Sequence, residues 1–122
     1  GILSSDIFIV KYNASGEALW AKTAGGSGYE SCSEVVTDDS ENLYFTGYFA
    51  SSTINFGAIS LSNAGGRDIF IAKYDASGNP VWAKSAAGSG DEIGVAMGID
   101  AGNHLYLTGS SSSESISFGS IV

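Results

Sequence analysis

Apolar positions along the chain come in short alternating or continuous runs, and no segment shows the spacing of an amphipathic helix. Residues 6–13 read as a strand with apolar groups on both faces, Phe8, Val10 and Tyr12 on one and Ile7 and Ile9 on the other. A strand covered on both sides belongs inside stacked sheets. Asn13-Ala14-Ser15-Gly16 then makes a tight turn, with Asn and Gly accepting the left-handed backbone. A second strand is predicted over 18–24, carrying Leu19 and Trp20, and Gly25-Gly26-Ser27-Gly28 ends it in a loop. A third strand is predicted over 32–38, a turn over 38–42 and a fourth strand over 43–49. The stretch 50–67 is read as a long connection with an apolar alternation from Ile54 to Leu61.

The pattern then repeats. Asp68-Ile69-Phe70-Ile71-Ala72-Lys73-Tyr74 restates Asp6-Ile7-Phe8-Ile9-Val10-Lys11-Tyr12 at an offset of 62 residues, and residues 1–60 share 27 identities in 60 positions with residues 63–122. The chain is therefore divided into 1–62 and 63–122, two copies of one unit. A period of this size points to a propeller, a solenoid or an array. In the second copy Pro80 opens the second strand, which places that strand outermost, where proline is best tolerated. The second-copy third strand, Gly94-Val95-Ala96-Met97-Gly98-Ile99, is rich in small residues and suits the crowded centre where sheets converge.

The residues Asp-Ile-Phe-Ile-Ala-Lys-Tyr-Asp-Ala-Ser-Gly-Asn-Pro-Val-Trp-Ala-Lys at 68–84, with Asp100-Ala101-Gly102-Asn103-His104-Leu105-Tyr106-Leu107-Thr108-Gly109, resemble the bacterial β-propeller repeat family called SBBP. The resemblance covers both copies, essentially residues 6–122. It implies an all-β fold of four-stranded antiparallel blades and a surface or secreted bacterial protein, and it brings no catalytic residues. Read as propeller strands, 32–38 is A, 43–49 is B, 6–13 is C and 18–24 is D. The chain then runs C-D, A-B-C-D, A-B, which is one complete blade between two halves. Phe8, Tyr12, Trp20, Tyr44, Phe70, Tyr74, Trp82 and Tyr106 are expected to pack blade against blade.

A complete propeller takes 4–8 blades. If each open blade face exposed roughly 500 Å² of apolar surface, covering it would contribute on the order of 12 kcal/mol, as much as the net stability of a domain. The expectation is head-to-tail assembly of copies into a ring of six or eight blades, or completion by a longer parent chain.

Thirteen acidic and five basic residues give a net charge of −8, which leaves no basic footprint for nucleic acid or for an anionic membrane surface. No apolar run approaches the ~20 residues of a membrane span. The chain opens at Gly1 without a signal-like segment, so a secretion signal is expected to have been removed or to lie outside this sequence. Cys32 is the single cysteine, too few for an internal disulfide or a thiolate zinc site.

Candidate chemistry is sparse. Asp38-x-Ser40-x-Asn42 and Asp75-x-Ser77-x-Asn79 space oxygen-bearing side chains as calcium loops do. Both lack the distal bidentate Glu, and the same residues are hairpin-turn chemistry. Tyr29, Glu30, Asp91 and Glu92 fall on the loop from strand D to strand A, where the two copies partly diverge, and form the candidate ligand rim. Such a rim fits a protein or glycan partner, as in a lectin-like or calcium-assisted adhesin. Glu30 and Glu92 also suit a hydrolase needing paired carboxylates, or solvated loop acids. His104, the sole histidine, sits beside a turn and gives little support to a Ser–His nucleophile.

Overall fold

The structure, a computed structural model, describes residues 5–122, with Gly94 and Val95 described by their backbone alone. Among the described residues, eleven strands account for the regular structure: β1 (Ile7–Tyr12), β2 (Ala18–Ala24), β3 (Glu30–Thr37), β4 (Leu43–Phe49), β5 (Thr53–Phe56), β6 (Ile59–Ser62), β7 (Asp68–Tyr74), β8 (Pro80–Ala87), β9 (Glu92–Ile99), β10 (Leu105–Ser111) and β11 (Ser117–Phe118). No helix occurs among the described residues.

The central sheet has the order β3-β4-β7-β8, all antiparallel, with β11 added beyond β8. It is the full A-B-C-D blade, and it straddles the two sequence repeats. On either side stand two-stranded sheets, β1-β2 and β9-β10, each half a blade. Turn chemistry sets the hairpins. Gly16 and Gly78, at φ 86° and 84°, close the equivalent β1–β2 and β7–β8 turns, and the Asn13 and Asp75 side chains accept from the amides two and four residues on.

The stretch 50–67 is more than a connection. Its alternation Ile54-Asn55-Phe56 and Ile59-Ser60-Leu61 folds around Gly57, at φ 60°, into the β5–β6 hairpin. A glycine in the turn between two alternating runs is a hairpin signal. The hairpin reaches back to the preceding half-blade: Gly25 and Asn55 exchange backbone hydrogen bonds of 3.3 and 3.0 Å. In the second copy β11 meets Ala86 and Ala87 of β8 in the same way. Strand D is thus not the outermost strand that Pro80 suggests, although at the Pro80 end no β11 residue pairs with it.

Packing is one-sided. Ile54 and Phe56 from β5 are fully buried with Phe45, Phe70 and Tyr74 of the central blade and Ile7 and Ala24 of the first half-blade. Phe45 meets Phe70 edge-on at 5.8 Å between ring centroids and Tyr74 at 5.1 Å, while Phe56 lies 5.2 Å from Phe70. Edge-on pairs at these distances add to the burial of the rings.

Of the eight aromatics expected to pack blade on blade, Tyr44, Phe70 and Tyr74 are buried, and Trp20 and Trp82 are half-buried. Phe8, Tyr12 and Tyr106 are instead exposed by 76%, 63% and 60%. They lie on β1 and β10, whose outer edges have no partner strand among the described residues.

Candidate functional site

The structure divides the four residues expected to form a rim on the D-to-A loops. Tyr29 and Asp91 are exposed. Glu30 and Glu92, by contrast, open strands β3 and β9 and are buried, at 3% and 0% exposure. Neither is a solvated loop acid, and neither carboxylate faces open solvent. Glu30 takes a short hydrogen bond from the Ser51 hydroxyl and one of 3.2 Å from the Gly26 amide. Glu92 accepts from the Ser111 hydroxyl at 2.9 Å and, more closely, from that of Ser113. Ser51 and Ser113 are repeat equivalents, so one serine–glutamate clasp recurs in both copies.

The second clasp has a companion that the sequence reading passed over. Asp68, the first residue of β7, is fully buried. Its Oδ2 accepts from the Ala64 amide at 2.6 Å, whereas Asp68 Oδ1 and Glu92 Oε2 lack a hydrogen-bond partner among the described residues. Burial pushes the Asp68 carboxyl above the usual carboxylate range and the negative Glu92 adds to the push, while the Ala64 and Gly88 amides oppose it. Arg67 and Asp91 stand on the adjoining loops, with the guanidinium over the Tyr48 ring and the Asp91 carboxylate accepting from the Arg67 amide. Protonation of Asp68 at Oδ1 would turn that orphaned acceptor into a donor.

Because the folded state raises the Asp68 value, this group stabilises most below the ordinary value of about 3.9. That stability is lost as the pH climbs through the raised value. The expected result is that Asp68→Asn, whose amide does not titrate, flattens the fall of the melting temperature as the pH rises from about 4, relative to wild type. Parallel profiles for the two proteins would refute a raised Asp68 carboxyl.

The calcium candidates are placed in hairpin turns. Asp38 accepts from the Ser40 and Asn42 amides, the Asn42 side-chain amide and the Tyr44 hydroxyl. Asp75 accepts from the amides of Ser77 and Asn79 and from the Asn79 side chain. In both turns the Asn presents its N–H to the carboxylate, so the carboxylate oxygens already serve the turn. These bonds hold both carboxyls below the usual range, led by the Asn42 side chain for Asp38 and the Asn79 amide for Asp75. No group of three or more His, Cys, Asp or Glu converges among the described residues. His104 is exposed, with Nδ1 3.1 Å from both Asp100 carboxylate oxygens, in a third turn of the same design.

What the described residues assemble is a set of blade edges and of clasps between the ends of strands A and B, the parts of a β-propeller-type repeat. No family model matches the chain. It is similar to an uncharacterized WD repeat-containing protein, L264, of Acanthamoeba polyphaga mimivirus, with 26% identity over 125 residues. The match covers 93% of this chain and 9% of that protein, so the chain spans a small part of its relative's length.

Proposed function

We propose that the chain is a non-catalytic β-propeller repeat module of the SBBP kind, a structural and interaction scaffold of a bacterial surface or secreted protein. Its half-blades pair with half-blades of further copies. The observation that carries this reading is that matching aromatics have opposite surroundings. Phe70, Tyr74 and Tyr44 are 0%, 1% and 5% exposed, whereas their counterparts Phe8, Tyr12 and Tyr106 are 76%, 63% and 60% exposed. A blade with all four strands hides these rings; a half-blade cannot. Unpaired edges beside exposed aromatics favour pairing with another sheet.

The non-catalytic part rests on the use of the polar groups. The paired glutamates are buried against serines, and the turn aspartates hold backbone amides. Light scattering over a range of concentrations tests the assembly. A discrete species of three or four chains, giving six or eight blades, is expected, and a monodisperse monomer throughout would overturn the reading.

A further inference from the structure

One inter-blade space in this chain is filled and its repeat equivalent is open. Between β1-β2 and the central blade, Phe70 stands among Phe45, Phe56 and Ile7. Between the central blade and β9-β10 there is instead a groove of about 610 Å³, whose walls include Ile69, Ile71, Ala86, Leu107 and Phe118. By the 62-residue offset these five correspond to Ile7, Ile9, Ala24, Phe45 and Phe56. The groove therefore repeats five wall positions of the filled space and has no counterparts of Phe70 and Tyr74. Those residue types stand outward on β1 as Phe8 and Tyr12.

We propose that the free edge of β10 and the groove beneath it receive strand β1 of a second copy of this chain, anchored by Phe8. The proposal rests on the scaffold reading above and gives it a register and a lock. In the complete blade β4 pairs with β7 through Leu43↔Tyr74, Phe45↔Ala72, Gly47↔Phe70 and Phe49↔Asp68. Carried through the repeat, β10 pairs with the incoming β1 through Leu105↔Tyr12, Leu107↔Val10, Gly109↔Phe8 and Ser111↔Asp6. Thr46 donates to the Phe70 carbonyl at 2.7 Å, and Thr108 does the same for Phe8. The incoming β1–β2 turn lands on Trp82. Within the chain, a Cβ on Gly78 would come within 2.8 Å of the Trp20 ring, while one on its counterpart Gly16 meets open space.

A difference between the copies supports this partner. Phe45 opposite Ala72 is a large–small pair, and both are fully buried. At the open junction the same two positions are Leu107 and Val10, two intermediate side chains. The pairs hold about eight and about seven side-chain carbons, close to a volume-conserving exchange. A mixed pairing would fail: Leu107 opposite alanine leaves a void, and phenylalanine opposite Val10 overfills the space. Val10 on β1 and Leu107 on β10 are thus matched to each other across the junction.

The test uses the whole 122-residue chain and follows its mass against concentration, with circular dichroism as a check on the fold. Phe8→Ala changes an exposed ring, so the fold should persist while self-association weakens about 30-fold or more. Leu107→Phe alone should also weaken association, and adding Val10→Ala should restore it by recreating the large–small pair. A wild type that never associates would overturn the scaffold reading and this proposal together. Should the wild type assemble, with Phe8→Ala assembling equally well and the double variant no better than Leu107→Phe, the docking mode alone is overturned.

Discussion

Replacing Phe70 with alanine is expected to lower the stability of the chain by about 3–5 kcal/mol, a fall in melting temperature of more than about 10 °C. Phe70 is fully buried. Its ring lies between Phe45 of its own blade and Phe56 of the β5–β6 hairpin, at 5.8 and 5.2 Å. The hairpin in turn is bonded to the preceding half-blade through Asn55 and Gly25. Removing the ring opens a cavity at the point where three elements meet, and backbone hydrogen bonds on every side restrain its collapse. Phe8→Ala, the same change at the repeat-equivalent position, should barely move the melting point of the unassembled chain, because that ring is 76% exposed. Melts of the two variants side by side provide the check. A loss as small for Phe70 as for Phe8 would mean that the aromatic cluster does not hold the blades together.

Gly47→Ala is expected to be at least as damaging, at about 3 kcal/mol or more, because overpacking against fixed backbone has no cheap relief. Gly47 lies mid-strand in β4, opposite Cys32 on one side and Phe70 on the other, at the level where the β3 register shifts between Cys32 and Glu34. A Cβ there would collide with the Ser31 carbonyl oxygen and lie 2.8 Å from its carbon and 2.9 Å from Cys32 Cα. Paired strands on both sides prevent β4 from moving away. Gly98→Ala is the control, since a Cβ at Gly98 meets nothing within 4 Å and ought to leave stability within about 1 kcal/mol of wild type. Chemical denaturation of the two proteins distinguishes them. Equal midpoints would show that β3 yields at the bulge.

The repeat, the four main strands and their turns were legible because they rest on local chemistry. Asn13, Asp75 and Asp100 bond the backbone two and four residues on, and glycines occupy the positive-φ positions of the first two turns. The β5–β6 hairpin was visible only as an alternation, because what pins it is Gly25 in another blade. β11 escaped for the same reason. Its two residues form a strand only against Ala86 and Ala87. Burial of Glu30 and Glu92 was misread because an acid beside Gly-Ser-Gly has the composition of a wet loop. A signal was available in the sequence. Glutamate is kept in both copies where its neighbours Tyr29/Asp91 and Ser31/Ile93 differ, and Ser51/Ser113, its hydrogen-bond partner, is kept with it. The exposure of Phe8 and the burial of Phe70 follow from which edges are paired, a property of topology that identical sequence cannot express.

The bond between the β5–β6 hairpin and the end of β2 in the half-blade before it also bears on how the fold tolerates change. An insertion at the hairpin tip, although it falls within one repeat, would be felt as looseness in the earlier neighbour. Amides at Gly25 and Asn55 should exchange with solvent as a linked pair. The first half-blade and the central blade are each braced by the arm of the unit that follows, so a strain there would be passed backward along the chain, against the direction in which it is synthesised.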